Sequence, residues 1–443
     1  MNVGIDSIAI ALPELYLPIK TLAEHRQIEA DKFIKGLGLH KMAFPDVGQD
    51  VVTFAANAAL QLIRQENLHP FDIARIYVAT ESSVDSSKPI GSYIISLLES
   101  QLGQRSFAHC DTVDFTFACI GGVDALQSCI DFVRLNPEQK AIVVTTDNAK
   151  YDLASTGEYT QGAGALALLI TANPRILAIG SKTGVATEGV FDFFKPRRVV
   201  DKSAVTAATN NPDWMGVLEN EIQIYKEQPV FDGQYSNQCY INRITEAYQH
   251  FKMQTEATDI VFQNWTQVFM HLPYCFQARR TFIEIYKQEL HPNLPAEEVK
   301  ALAKSEEYLQ FVQEKIQPSE AASGQVGNLY TGSIFLGMLS GLSVLATQEA
   351  ELIHEKVGFI AYGSGSKSKV FEGTLQPEWK AQIAKVNLFS YLESRKEIDF
   401  ITYEQLHKKE LSMAVGHPQG FVLASIEKEN PVLVGARYYR FQN

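Results

Sequence analysis

Cysteine is scarce in this chain. Its 443 residues carry five: Cys110, Cys119, Cys129, Cys239 and Cys275. A sparse, odd set in a chain of this length is not a disulfide framework. No CxxC or HExxH spacing occurs, so no metal site is expected. Positive charge is also short. Lys plus Arg number 39 against 51 Asp plus Glu, a net charge of −12. That balance excludes a general nucleic-acid binder, which needs a basic surface to displace counterions. A local basic patch for one anionic ligand remains compatible with it. The longest apolar stretch, IFLGMLSGLSVLA at 334–346, falls short of the roughly 20 residues that span a bilayer. The start, MNVGIDSIAIALPELYLP, lacks a basic leader and carries Asp6, so it reads as a strand and not as a signal peptide. These absences predict reduced thiols, no membrane or nucleic-acid partner, and a cytoplasmic location.

What is present is a globular composition, 46% hydrophobic and 20% charged. Strand and helix patterns alternate through the first part. IDSIAIALP (5–13), IARIYVAT (73–80) and AIVVTTD (141–147) read as strands. GAGALALLI (162–170) and RILAIGSKTG (175–184) read as two strands paired with each other. Helical spacing marks 51–65, 90–103 and 122–135. The centre, about 190–325, is less regular, and 295–316 reads as a solvated amphipathic helix. From Val326 the alternation returns: a helix across 331–348, then strands at 357–363, 421–428 and 432–441. This pattern predicts an α/β fold around a central sheet.

Three segments could carry chemistry. In FACIGGVDAL (117–126), a strand-like stretch leads into Cys119, a Gly-Gly pair and a helix. A sulfur at a helix N-terminus is favoured as thiolate, and the glycines would let a substrate approach. The same spacing also suits a buried structural cysteine, and Cys129, on the helix's apolar face, reads as one. In VATESSVDSSKP (78–89), Glu81 ends a buried strand, where α/β folds place active sites. A desolvated acid there suits general acid–base work; an ordinary loop acid is the other reading. In FMHLPYC (269–275), His271 is either a proton-transfer group or a core histidine. Arg279 and Arg280 form a surface pair or an anion site. The Gly-rich turns 326–333 and 361–366 match neither a Walker A nor a dinucleotide fingerprint.

Taken together, the segments resemble the 3-hydroxy-3-methylglutaryl-CoA (HMG-CoA) synthase family of the thiolase superfamily. The matching stretches are KFIKGLGLHKMAF (32–44), QDVVTFAANAA (49–59), TESS (80–83), TTDNAKY (145–151), TQGAGALALLI (160–170), FDFFKP (191–196), PVFDGQYSNQCY (229–240), HLPY (271–274), VGNLYTGSIFLG (326–337) and AYGSGS (361–366). The resemblance implies a duplicated, thiolase-like αβαβα fold. Residues 1–172 would form an N-terminal half with Glu81 and Cys119, and 173–443 an elaborated C-terminal half with His271. It implies a Cys119 nucleophile, a Glu81 base, and a His271 that binds and polarises the acetoacetyl carbonyl. The backbone N–H groups of Cys119 and Ser364 would be oxyanion donors, and Asn328 would contact the acetoacetyl group. Asp147 and Asp192 would support geometry or pKa, and Arg279 or Arg280 would meet CoA phosphate. Acetyl-CoA and acetoacetyl-CoA are the implied partners, as substrates with no further cofactor, in a homodimer.

The chain departs from the family pattern in places. Ile120 stands where a tyrosine is common, and Phe276 where a lysine often meets phosphate. The interval from Glu81 to Cys119 is a few residues longer than usual. These changes put the acyl-pocket lining and the phosphate contacts in question. A relative that builds a β-branch on a carrier-protein-bound acyl chain would use the same three residues. A 3-oxoacyl carrier-protein synthase would have no need of Glu81, and a thiolase-fold binding protein no need of the three together.

Overall fold

The computed structural model describes residues 1–209, 220–349 and 351–442. A nine-stranded mixed sheet runs through it. In chain order its strands are β1 (Val3–Ala11), β2 (Ile73–Ala79), β3 (Asp111–Phe115), β4 (Lys140–Ala149), β5 (Gly162–Ala172), β6 (Leu177–Thr187), β7 (Trp265–Met270), β8 (Lys356–Gly363) and β9 (Lys367–Leu375). Their spatial order is β7-β8-β9-β6-β1-β5-β4-β2-β3.

The order contains a repeat. Reading outward from the middle, β1-β5-β4-β2 pair antiparallel, antiparallel, then parallel. In the other direction, β6-β9-β8-β7 show the same sequence of pairings. Within each series the first strand in the chain is innermost and the second is outermost. The two series meet where β1 and β6 pair over Gly4↔Ala178 and Ile5↔Leu177. The 162–170 and 175–184 strands therefore exist but do not pair with each other. The N-terminal strand lies between them, a non-local pairing that adjacency in the chain hides.

Side-chain alternation sorts the sheet's faces. Along β5, Leu166, Leu168 and Ile170 enter one buried cluster, and Ala165, Ala167 and Leu169 enter another. The first cluster holds strands of both series together with helices α3 (Gly121–Leu135) and α5 (Ser333–Ala346). These two helices are the central layer. The second cluster packs the outer helices α1 (Val51–Gln65) and α2 (Ile90–Leu102). Helix α4 (Gly233–Thr255) covers the C-terminal strands on their other side. The layers are those of a thiolase-like αβαβα fold. Helix α1 starts where its sequence says it should, on an Asp50/Thr53 capping box.

Elsewhere tertiary packing overrides local pattern. The 295–316 stretch is a 3-10 turn and two short helices, Val299–Leu302 and Glu306–Lys315, not one solvated helix. Leu302, Tyr308, Phe311, Val312 and Ile316 are buried in the C-terminal cluster. Of 432–441, only the part from Arg437 is strand, paired to Gly420–Ile426 outside the main sheet. Among the described residues no helix is long and apolar enough to cross a membrane. All five cysteines are free thiols, and Cys129 is fully buried in the central cluster.

Candidate active site

The repeat places the site. Glu81 follows the C-terminal end of β2, and His271 follows β7, the corresponding strand of the second series. Cys119 lies in a 3-10 turn, Ala118–Ile120, that enters α3. A matching 3-10 turn, Tyr330–Gly332, enters α5. Each turn opens on a left-handed, non-glycine residue: Ala118 and Tyr330 both have φ 42. Such strain persists only where surrounding structure enforces it, and it clusters at functional sites.

Here the enforcement is close packing, and it corrects the reading of the Gly-Gly pair. A Cβ on Gly122 would lie 2.6 Å from the Thr331 carbonyl oxygen and 2.9 Å from Phe335 Cε2. Gly122 lets the two turns abut, and a Cβ on Gly121 would lie 3.0 Å from the Phe115 carbonyl oxygen; neither opens a path for substrate. Ile120, standing where a tyrosine is common, is likewise fully buried against Gly363 and is not among the residues that line the cavity.

Cys119 Sγ donates to Glu81 Oε1 at 2.8 Å. Burial and the neighbouring Glu81 charge hold the thiol well above its ordinary pKa. The expectation of a dipole-favoured resting thiolate fails for this reason. The sulfur is desolvated, and the nearest charge is negative. The thiol proton instead has an acceptor in place.

A cavity of about 460 Å³ opens in front of the sulfur. Cys119, His271, Asn328, Ser364 and Arg280 lie on its wall with Tyr151, Tyr240, Tyr274, Tyr330 and Phe193. Burial lowers the His271 pKa to about 3, so its imidazole is neutral at physiological pH. Its backbone carbonyl accepts from Tyr240 Oη at 2.7 Å, and its Nδ1 is buried with no partner. A neutral ring donates or accepts a hydrogen bond. It does not act as a standing cation, which revises the proton-transfer reading.

Asn328 Oδ1 accepts from the Tyr330 N–H at 2.8 Å and Ser333 Oγ at 2.9 Å, leaving its amide N–H groups for a ligand.

The two buried aspartates hold backbone. Asp147 accepts from the Glu81 N–H at 2.7 Å, Ser82 Oγ at 2.9 Å, and Thr331 N–H and Oγ1 at 3.0 and 2.6 Å. It ties the Glu81 turn to the second 3-10 turn. Burial and the Glu81 charge raise its pKa to about 7. Asp192 accepts from Tyr362 Oη at 2.5 Å and the Gly365 N–H at 2.7 Å, which fixes the segment bearing Ser364.

The arginines separate. Arg279 Nε donates to Glu320 Oε1 at 2.9 Å in a bidentate pair, and its guanidinium lies 3.9 Å over the Phe276 ring. Glu320 is 3% exposed, so Arg279 is committed to the interior. Arg280 alone faces the cavity, held by its bond to the Gly36 carbonyl.

Sequence reasoning left two groups unassigned. Lys195 lies 3.6 Å from Glu81 Oε2, and Tyr151 and Tyr330 pack in one cluster with Cys119. All three sit inside motifs named above, FDFFKP, TTDNAKY and VGNLYTGS. Nothing in their local spacing marked them.

A thiol bonded to a carboxylate, facing a neutral histidine across a tyrosine-lined cavity in a duplicated thiolase-like fold, defines a condensing acyltransferase. Comparison with known proteins gives the family. Residues 1–175 match the model for the hydroxymethylglutaryl-coenzyme A synthase N-terminal domain, and 298–414 that for the C-terminal domain. The hydroxymethylglutaryl-CoA synthase of Enterococcus faecalis is 31% identical over 93% of this chain and 93% of its own length. That of Haloferax volcanii is 31% identical over 92% and 91%. The structure of MvaS in complex with 3-hydroxy-3-methylglutaryl coenzyme A superposes with TM-score 0.84 at 27% identity, covering 100% of this chain and 99% of that one. The chain belongs to the hydroxymethylglutaryl-CoA synthase family.

Proposed function

We infer that the protein condenses acetyl-CoA with acetoacetyl-CoA and water to give HMG-CoA and CoA, in the mevalonate route to isoprenoid precursors. The observation that carries the chemistry is the 2.8 Å bond from Cys119 Sγ to Glu81 Oε1 on the edge of the cavity. Cys119 attacks the acetyl thioester, the thiol proton leaves by way of Glu81, and CoA departs as its thiol. Glu81 then removes a proton from the acetyl methyl, and the resulting enolate carbon bonds C3 of acetoacetyl-CoA. Neutral His271 and the Asn328 amide donate to the ketone oxygen as it becomes an alkoxide, which is then protonated. Water cleaves the acyl–sulfur bond, freeing HMG-CoA and restoring Cys119. The N–H groups of Cys119 and Ser364 are the proposed oxyanion donors.

CoA thioesters are substrates in this reading, and no additional cofactor is required. Arg280 is the proposed phosphate contact. The exposed edge of the sheet, β3, is the proposed seam of a homodimer, since an edge strand carries unpaired N–H and C=O groups. We place the protein in the cytoplasm, with no membrane or nucleic-acid partner.

The second reading, β-branching on a carrier protein, draws only on fold. The curacin-pathway HMG synthase superposes with TM-score 0.77 at 22% identity. The greater identity to the CoA-dependent relatives favours free CoA thioesters. Turnover of free acetoacetyl-CoA with labelled acetyl-CoA decides between them. HMG-CoA formation is expected, and turnover restricted to a carrier-bound acetoacetyl group would sink the inference.

A further inference from the structure

Glu81 has its two carboxylate oxygens in different company. Oε1 accepts from Cys119. Oε2 faces Lys195 Nζ at 3.6 Å, and the same ammonium donates to the Glu81 backbone carbonyl at 3.1 Å. Nζ also lies 4.3 Å from the centroid of the Tyr330 ring. The ammonium thus has three attachments, two of them to one residue. Both side chains are secluded, Lys195 being 11% and Glu81 7% exposed. A buried ion pair of this kind contributes little net stability against its desolvation, so a large part of its value is in fixing geometry and charge.

Lys195 directly follows one strand of a short two-stranded ladder. Phe193–Phe194 pairs with Val230–Phe231, and Pro196 follows the lysine. Phe193 packs with Tyr330 and Tyr151 beside the sulfur. The ladder therefore places the cation and part of the cavity wall together.

We propose that Lys195 is the positioning residue of the base: it holds one Glu81 oxygen and the Glu81 carbonyl, leaving the other oxygen aimed at Cys119 and the acetyl methyl. This rests on the reading of Glu81 as base. The titratable groups around Glu81 are Cys119, Asp147, Tyr151, Tyr225 and Tyr330, together with Lys195. All but Lys195 are neutral or anionic. Among the described residues, Lys195 is the cation paired with this carboxylate. Without it, the cluster of Cys119, Glu81 and Asp147 would lose the positive charge that favours its anionic forms.

The test reads the base step alone. Full-length enzyme acetylated at Cys119 is placed in D2O, and deuterium entering the acetyl methyl is followed by mass spectrometry. Each cycle moves one methyl proton to Glu81 and returns one solvent deuteron to carbon. Lys195→Met is expected to have the acid limb of its profile displaced upward by about one pH unit, a roughly tenfold slower exchange at any pH on that limb. Lys195→Gln keeps a donor for the carbonyl but no charge, and should show the same displacement. Lys195→Arg should return the limb toward wild type. An unmoved limb in both neutral variants, or a uniform loss at every pH that Arg does not rescue, overturns the proposal. Failure of the underlying reading looks different: exchange would persist in Glu81→Ala, or be absent from wild type.

Discussion

Ile120 and Gly363 are in direct contact across the two halves of the sheet. A Cβ on Gly363 would lie 2.7 Å from Ile120 Cγ2 and 2.8 Å from the Ile120 backbone nitrogen. The turn that carries the nucleophile is thus wedged against the end of β8. Gly363→Ala must displace that turn. Acetylation of Cys119 is expected to slow on the order of 10- to 100-fold, because small misplacements of reacting groups are costly. Single-turnover incorporation of labelled acetyl groups checks it, with circular dichroism confirming a folded variant.

The Cys119–Glu81 bond separates two losses. Cys119→Ser should take up no acetyl label, since a hydroxyl is the poorer nucleophile. Glu81→Ala should still acetylate, more slowly because the thiol has lost its acceptor, and should form no HMG-CoA. Condensation at the wild-type rate in Glu81→Ala would refute its role as base.

His271 links stability to pH. Its pKa is about 3 when folded against an ordinary value near 6.5. Between those values the unfolded chain binds the proton and the folded protein does not. Stability should therefore fall as pH drops from about 6.5 towards 3, by up to about 1.4 kcal/mol per pH unit from this group. His271→Gln should flatten that part of the curve, as read from urea midpoints at a series of pH values. An equal slope in the variant would show the ring to be charged when folded.

The neighbouring arginines should behave oppositely. Arg279→Ala leaves the Glu320 carboxyl buried without its partner and should cost about 2 kcal/mol or more, seen as a lower melting temperature. Arg280→Ala should leave melting nearly unchanged and raise the KM for CoA thioesters several-fold, with kcat little altered. A KM effect confined to Arg279 would reverse the assignment.

Where the amino-acid pattern is local, it reads through to the structure. Helix α1 spans Val51–Gln65 as its spacing predicts, because its apolar face and capping residues lie within the helix itself. The order of ten short segments sufficed for the family. What the pattern does not carry is contact between distant residues. The placement of β1 between β5 and β6, the union of Arg279 with Glu320, and the approach of Lys195 to Glu81 all depend on closing long loops. The electrostatics followed the same division. A helix N-terminus after Cys119 was visible, but the burial that outweighs it was not. The strand Lys367–Leu375 and helix Gly233–Thr255, one polar-faced and the other of weak periodicity, had no local signal strong enough to stand out.

The central position of β1 has a consequence for biogenesis. The strand that comes first of the nine in the chain becomes the innermost, yet its partners are Gly162–Ala172 and the start of Leu177–Thr187. At about 5–20 residues per second on the ribosome, it waits on the order of ten seconds or more before either emerges. Through that interval an apolar ribbon stands without neighbours, the kind of species that folding catalysts and chaperones engage. The final assembly is later still, because His271, Asn328 and Ser364 join Glu81 and Cys119 only after β8 and β9 have docked. An abbreviated chain that ends before them would hold the nucleophile and the base with nothing opposite.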